Sequence, residues 1–474
     1  MGKAIAGKVL YGLVCLAAAT LLVISGYAHR VVGLTTDLGK GVAISDSPTV
    51  GAMNILVMGL ESRTNYQGQT LPNSLLTAMH AGSASSVDAG ELGSQDTNTL
   101  ILIHIFAGGQ KAVGFSIPRD DLVTYPQAYD GQTEGKIDGA YAYAYTQSLT
   151  STANSSLSTP QRYLDANRAG QAATLATVSA LTGQKIDHFI EVNLAGFYYL
   201  AQAFGGIEVC VRPAPASAEP DGMQAGTNLT DRDPLTGTDN SGFDAYLDGY
   251  DRNRGGAQYL HLKAPQALAF VRSRDTLPGI DLGRTKRQQA TIDYVIYELK
   301  HEGVLTSVSK LNTLLSTASQ YLITDSTFNL LDFASDMRAL NGQNLSFTTL
   351  PFTPENNVEV PGYPGLQDVN VIDVPAIQRL VQTAFSTGAV PSATATPGTA
   401  TPGTGTGSPN AGTSGSSTAT AGTQAAGARV IGSSAAASPS ATPAPSGTSQ
   451  TGSSGTGGTV TVAPNARYGI PCVY

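Results

Sequence analysis

Between residues 50 and 387, short continuous apolar runs alternate with longer segments whose apolar positions recur at helical spacing. The run MNILVMGL (Met53 to Leu60) predicts a buried strand, and the charged Glu61 and Arg63 follow it. TNTLILIHIF and KAVGFSIP are two more runs, and the AGGQ between them is a turn signal suited to a hairpin. Residues 160 to 182 carry helical spacing after Pro160 and stop at Gly183. IDHFIEVN, LAGFYYLAQAFGG and IEVCV then predict strand, helix and strand, with Gly205 and Gly206 ending the helix. APQALAFVR reads as a short helix with Pro265 in its first turn, and Asp281 opens a long helix. Further signals run from Leu311 to Phe385, whereas residues 213 to 256 read as an irregular, polar excursion. Strands interleaved with helices predict a layered α/β domain.

Composition bounds this domain. From Gly388 to Ala466 the chain is mostly Ser, Thr, Gly, Ala and Pro, with Arg429 its only charged side chain. Too few large apolar groups are present there to offset the entropy of ordering, so a disordered linker is expected. Residues 467–474 follow as a tail containing Cys472, and the folded body is expected over 51–387. Near the start, Val9 to Ala28 holds no charge. Twenty helical residues span roughly 30 Å, one bilayer core. Lys3 and Lys8 precede the segment, so residues 1–8 are expected in the cytoplasm, 9–28 as a single-pass anchor, 29–50 as a spacer, and the body outside. A cleaved signal peptide is the rival reading, but the apolar run is long for one.

The formal charge is −8 with no basic tract, which argues against a nucleic-acid partner. Arg272, Arg274, Arg284, Lys286 and Arg287 nevertheless crowd into one stretch. A cluster of that kind is either a solvated, salt-bridged face or an anion site. GFSIP departs from a nucleophile elbow at Pro118, and the six histidines show no metal-binding spacing, so neither a serine hydrolase nor a zinc site is indicated. Cys15 lies in the apolar N-terminal segment; Cys210 and Cys472 would both face an oxidising compartment, where a disulfide between them or two free thiols are the alternatives.

The remaining charges sit at the ends of apolar elements. Glu61 and Arg63 follow the first strand, and Asp96 precedes the second. Arg119, Asp120 and Asp121 leave the third after Pro118, which has no N–H for a ladder. Arg272 and Arg274 end one helix, while Asp281, Arg284 and Gln288 begin another. Carboxylates supply oxygen ligands for Mg²⁺, and guanidinium forks bind phosphate oxygens in pairs. Together these are the parts needed for phosphoryl transfer.

These residues resemble the LytR–CpsA–Psr glycopolymer transferases of bacterial envelopes, across about Met53 to Leu299. The resemblance rests on NILVMGLESR, QDTNTLILIHI, VGFSIPRDDLV, KIDGAYAYA, IDHFIEVNLAGFYYLAQAFGGIEVCV, LHLKAPQALAFVRSR and DLGRTKRQQ, in that order. It implies an α/β/α sandwich with a mixed central sheet and an apolar pocket for a polyprenyl chain. It also implies transfer of a glycopolymer from a polyprenyl-pyrophosphate carrier to peptidoglycan through a phosphodiester. By motif position, Glu61 and Asp96 would hold Mg²⁺, with Mn²⁺ the alternative. Arg119, Arg272, Arg274 and Arg284 would grip the pyrophosphate, with Gln288 nearby and Arg63 and Lys136 as further candidates.

Two positions depart from the family pattern: Glu61 stands where Asp is usual, and Ser94 where Arg is usual. A lost guanidinium contact of this kind is worth roughly 1.5–3 kcal/mol. Arg119 is expected to meet pyrophosphate, Asp120 to orient it through a salt bridge, and Asp121 to lie at the surface. A non-catalytic binder of polyprenyl-linked glycans and a pyrophosphatase acting on the same lipid are the alternatives.

Overall fold

The structure is a computed structural model that describes residues 39–44, 51–89, 95–212, 256–272, 280–301, 321–328, 345–360, 366–390 and 470–473. Strands β1 (Gly39–Lys40) and β2 (Met53–Leu60) precede two short helices, α1 (Asn73–Ala78) and α2 (Ala84–Asp88). Next come β3 (Thr97–Ile105), β4 (Ala112–Ile117), β5 (Leu122–Tyr129), β6 (Gln132–Lys136), α3 (Gly139–Ser151) and α4 (Thr159–Thr182). β7 (His188–Asn193), α5 (Leu194–Ala203), β8 (Ile207–Val211), β9 (Gln258–Leu262), α6 (Ala264–Arg272) and α7 (Ile280–His301) follow. The C-terminal elements are β10 (Leu322–Thr324), β11 (Leu345–Thr349), β12 (Thr353–Glu359), β13 (Leu366–Val371), α8 (Val374–Thr387) and β14 (Cys472–Val473).

Seven strands form the central sheet in the order β1-β10-β7-β2-β3-β4-β11. It is mixed: β2 runs antiparallel to β3 but parallel to β7. Alternation along the strands divides their side chains between two layers. Leu56, Met58, Leu100, Leu102 and Phe115 pack on one face with Ala173, Val178 and Leu181 of α4 and Ile377 and Val381 of α8. Ile55, Ile101 and Ile103 face the other way, towards Ile292 and Ile296 of α7. Helices therefore cover both faces, the mixed α/β sandwich expected from the sequence.

A second core lies beside the sheet. Ala267, Leu268 and Phe270 of α6 and Ala290 and Tyr294 of α7 bury there with Val209, Leu260, Ile470 and Val473. Its floor is a three-stranded sheet, β14-β8-β9, and a disulfide joins Cys210 to Cys472. The tail is thus stitched into the core that positions α6 and α7.

β1 lies inside the segment expected as a spacer and pairs with β10, so part of that segment belongs to the sheet. The expected anchor (9–28) lies outside the described residues, as do 391–469 and nearly all of the irregular excursion. Among the described residues, no helix is long and apolar enough to cross a membrane.

Candidate functional site

The antiparallel pairing of β2 with β3 brings the end of one strand beside the start of the other, Leu60 opposite Thr97. The Glu61 N–H donates to the Asp96 carbonyl at 3.1 Å, so the two acids occupy adjacent strand ends. β4 runs antiparallel to β3, with Ile117 opposite Leu100, and delivers Arg119 to the same end of the sheet. Across the sheet end, α6 finishes at Arg272, and the first turns of α7 supply Arg284, Arg287 and Gln288.

Glu61 is the hub of the cluster. Its Oε1 accepts from Arg63 Nη2 at 3.2 Å and from Arg272 Nη2 at 3.5 Å. Its Oε2 accepts from the Asn98 side-chain amide, whose Oδ1 in turn accepts from Arg119 Nη1 at 2.9 Å. Burial pushes the Glu61 carboxyl up, but the charges of Arg272, Arg63 and Arg284 outweigh it and hold the group below the ordinary range. An ionised acid therefore holds several guanidiniums together.

A second acid serves Arg119. Its Nε donates to Asp120 Oδ2 at 3.2 Å, while Lys136 Nζ meets Asp120 Oδ1 at 2.8 Å. Burial raises the Asp120 carboxyl, and the Arg119 and Lys136 charges more than offset this. Arg119 is thus fixed between Asn98 and Asp120, and Lys136 stands on the far side of the same carboxylate. Nearby, burial and the Asp96 charge push the Asp138 carboxyl well up, against the opposing charge of Arg119.

The α7 residues divide by role. Arg287 is fully buried and its Nε donates to the Phe270 carbonyl at 3.0 Å, locking α7 to α6. Gln288 Nε2 donates to the Val271 carbonyl at 3.3 Å, next to Arg272. Arg284 is buried close enough for its charge to lower the Glu61 carboxyl. Arg274 and Ser94 lie outside the described residues.

Asp121 corrects an expectation: it is fully buried, not at the surface. Pro118 turns the chain inward, and the Asp121 backbone bridges to Asn370 of β13. Asn98 was missed by sequence reasoning because an uncharged amide at a strand's start carries no charge signal. Its proximity to Asp96 in QDTNTLILIHI was the available clue.

Among the described residues, no three His, Cys, Asp or Glu side chains group as a metal cage. Glu61 and Asp96 carry oxygen donors of the type Mg²⁺ takes alongside waters and substrate phosphates, and a metal there would compete for Glu61 oxygens that now accept from Arg63, Arg272 and Asn98.

A model of the LytR_cpsA_psr family matches residues 33–371, so the chain belongs to the LytR–CpsA–Psr family. The cell wall biosynthesis protein LcpA of Corynebacterium glutamicum is 30% identical over 376 residues, 77% of this chain and 63% of LcpA. The match thus spans less than two thirds of that relative's length. The polyisoprenyl-teichoic acid–peptidoglycan teichoic acid transferase TagU of Enterococcus faecalis is 24% identical over 285 residues, 60% of this chain and 71% of TagU. The crystal structure of TagV from B. subtilis is 16% identical with a TM-score of 0.44, covering 71% of this chain and 98% of that one.

Proposed function

We propose that this protein is a membrane-anchored, extracytoplasmic transferase that moves a glycopolymer from a polyprenyl-pyrophosphate carrier to peptidoglycan through a phosphodiester bond. Family membership supports the general class, as do the relatives named for cell wall biosynthesis and for teichoic acid transfer. The observation that carries the reading is convergence: Arg63, Arg119, Arg272 and Arg284 come from separate elements and gather around Glu61 and Asn98.

In this reading an acceptor sugar hydroxyl attacks the phosphorus nearest the glycan. A new P–O bond forms, the bridging P–O bond breaks, the hydroxyl proton is lost to base, and polyprenyl phosphate leaves. Arg119, Arg272 and Arg284 bind the non-bridging oxygens and offset the charge that builds on the departing phosphate. Glu61 holds Arg63 and Arg272 side by side, and Asp120 sets the direction of Arg119. Mg²⁺ or Mn²⁺, held by Glu61 and Asp96, would supply further charge neutralisation at the phosphates. The Val9–Ala28 segment would keep the site near its lipid-borne donor.

The test incubates purified full-length protein with a polyprenyl-pyrophosphate glycan, peptidoglycan and Mg²⁺. A wall-linked product that EDTA prevents supports the reading. Free glycan phosphate would make the protein a hydrolase, and bound lipid without product would make it a binder.

A further inference from the structure

Residues 64–89 leave the sheet after Arg63 and carry α1 and α2. Leu71, Leu75, Leu76, Met79 and Ala81 anchor the excursion in the second core, against α6. α1 ends in a turn centred on His80, whose φ is 49°. The Ala81 N–H donates to the Leu76 carbonyl at 2.8 Å, and the His80 N–H to the Thr77 carbonyl at 3.1 Å. These two bonds make a Schellman cap with histidine at the left-handed position, where glycine is usual.

The flanking carbonyls of this cap meet two arginines of the site. Arg272 Nη1 donates to the Met79 carbonyl at 3.3 Å, and Arg63 Nε donates to the Ala81 carbonyl at 3.0 Å. A second nitrogen of each guanidinium, Nη2 in both, reaches the same oxygen, Glu61 Oε1, at 3.2 Å from Arg63 and 3.5 Å from Arg272. We propose that the Met79–His80–Ala81 turn is a positioning element, a pair of main-chain acceptors that sets the orientation of Arg63 and Arg272 toward the donor diphosphate. What the arginines bind rests on the functional reading above; that the turn holds them rests on these hydrogen bonds alone.

The turn can be tested because tolerance of positive φ falls in an order unrelated to imidazole chemistry. Glycine and asparagine adopt it readily, alanine less so, and a β-branched residue least. His80→Gly, His80→Asn, His80→Ala and His80→Val are made in the full-length protein and checked by far-UV circular dichroism. Two quantities are read: solvent exchange of the Arg63 Nε–H in protein labelled with ¹⁵N-arginine, and affinity for inorganic pyrophosphate with Mg²⁺. Gly and Asn are expected to keep the exchange protection and to bind within about twofold of the parent, while Val loses protection and at least about tenfold in affinity, the scale of one charge-assisted contact. Ala should fall between, so the series still decides if Val does not fold. The proposal is overturned if Val behaves like the parent, or if Gly and Asn lose as much as Val. A parent protein that does not bind pyrophosphate would sink the functional reading, and the exchange arm would still decide the turn.

Discussion

Asn370 and Asp121 stand 249 positions apart in the chain, yet the Asn370 side-chain amide donates to Asp121 Oδ1 at 3.0 Å. The Asn370 main-chain N–H also donates to the Asp120 carbonyl at 2.8 Å. The C-terminal hairpin therefore supports the loop from which Arg119 projects. Burial and the neighbouring Asp120 charge push the Asp121 carboxyl well up, while the bond from Asn370 pulls it down. Asn370→Ala removes that donor from a buried group, a change costing about 1–3 kcal/mol. A thermal scan should show a lower midpoint, and transfer should fall as Arg119 loses its support.

Arg119 joins Asn98 to Asp120 by two different nitrogens. Arg119→Ala should reduce pyrophosphate affinity by roughly 10- to 100-fold, matching about 1.5–3 kcal/mol for a charged contact. Arg119→Lys should recover little, because a single ammonium cannot reproduce the fork. Titration calorimetry with pyrophosphate measures both, and full transfer activity in the alanine variant would remove Arg119 from the site.

Glu191 sits fully buried in β7, where burial pushes its carboxyl up to about 7 even though the Tyr141 hydroxyl donates to its Oε1 at 3.3 Å. The unfolded chain releases the same proton at about 4.3, so the native state binds it more tightly. Stability is then greatest below that value and falls as pH rises towards the native pKa, by on the order of 3 kcal/mol. Glu191→Gln should flatten this dependence, giving a smaller difference in melting temperature between pH 5 and pH 8 than the parent shows.

The Cys210–Cys472 disulfide fixes β14 beside β8, and Val473 packs in the core shared by α6 and α7. Cys472→Ser, or reduction with a dithiol, should cost about 2–5 kcal/mol of stability. Because α6 and α7 carry Arg272 and Arg284, pyrophosphate affinity should drop alongside the melting temperature. Gel mobility with and without reductant establishes the state of the bond in each sample.

The central strands were legible because runs such as MNILVMGL are apolar towards both faces and end on charges. The β5–β6 hairpin was not, because half of β5 is exposed and its pairing with β6 shifts register between Thr124 and Tyr129, around Pro126. Long helices showed through their punctuation, as Gly183 ends α4 with a φ of 66°. At the site, the arginines and acids announced themselves by charge. What holds them was hidden: Asn98 is neutral, and the Met79 and Ala81 acceptors belong to the main chain, which every sequence shares.

The cross-link between positions 210 and 472 turns more than half of the polypeptide into a macrocycle. A protease that nicks it once anywhere between those cysteines would linearise it without shedding either fragment. Cleavage in the Ser/Thr/Gly-rich stretch would then register only after thiols are added.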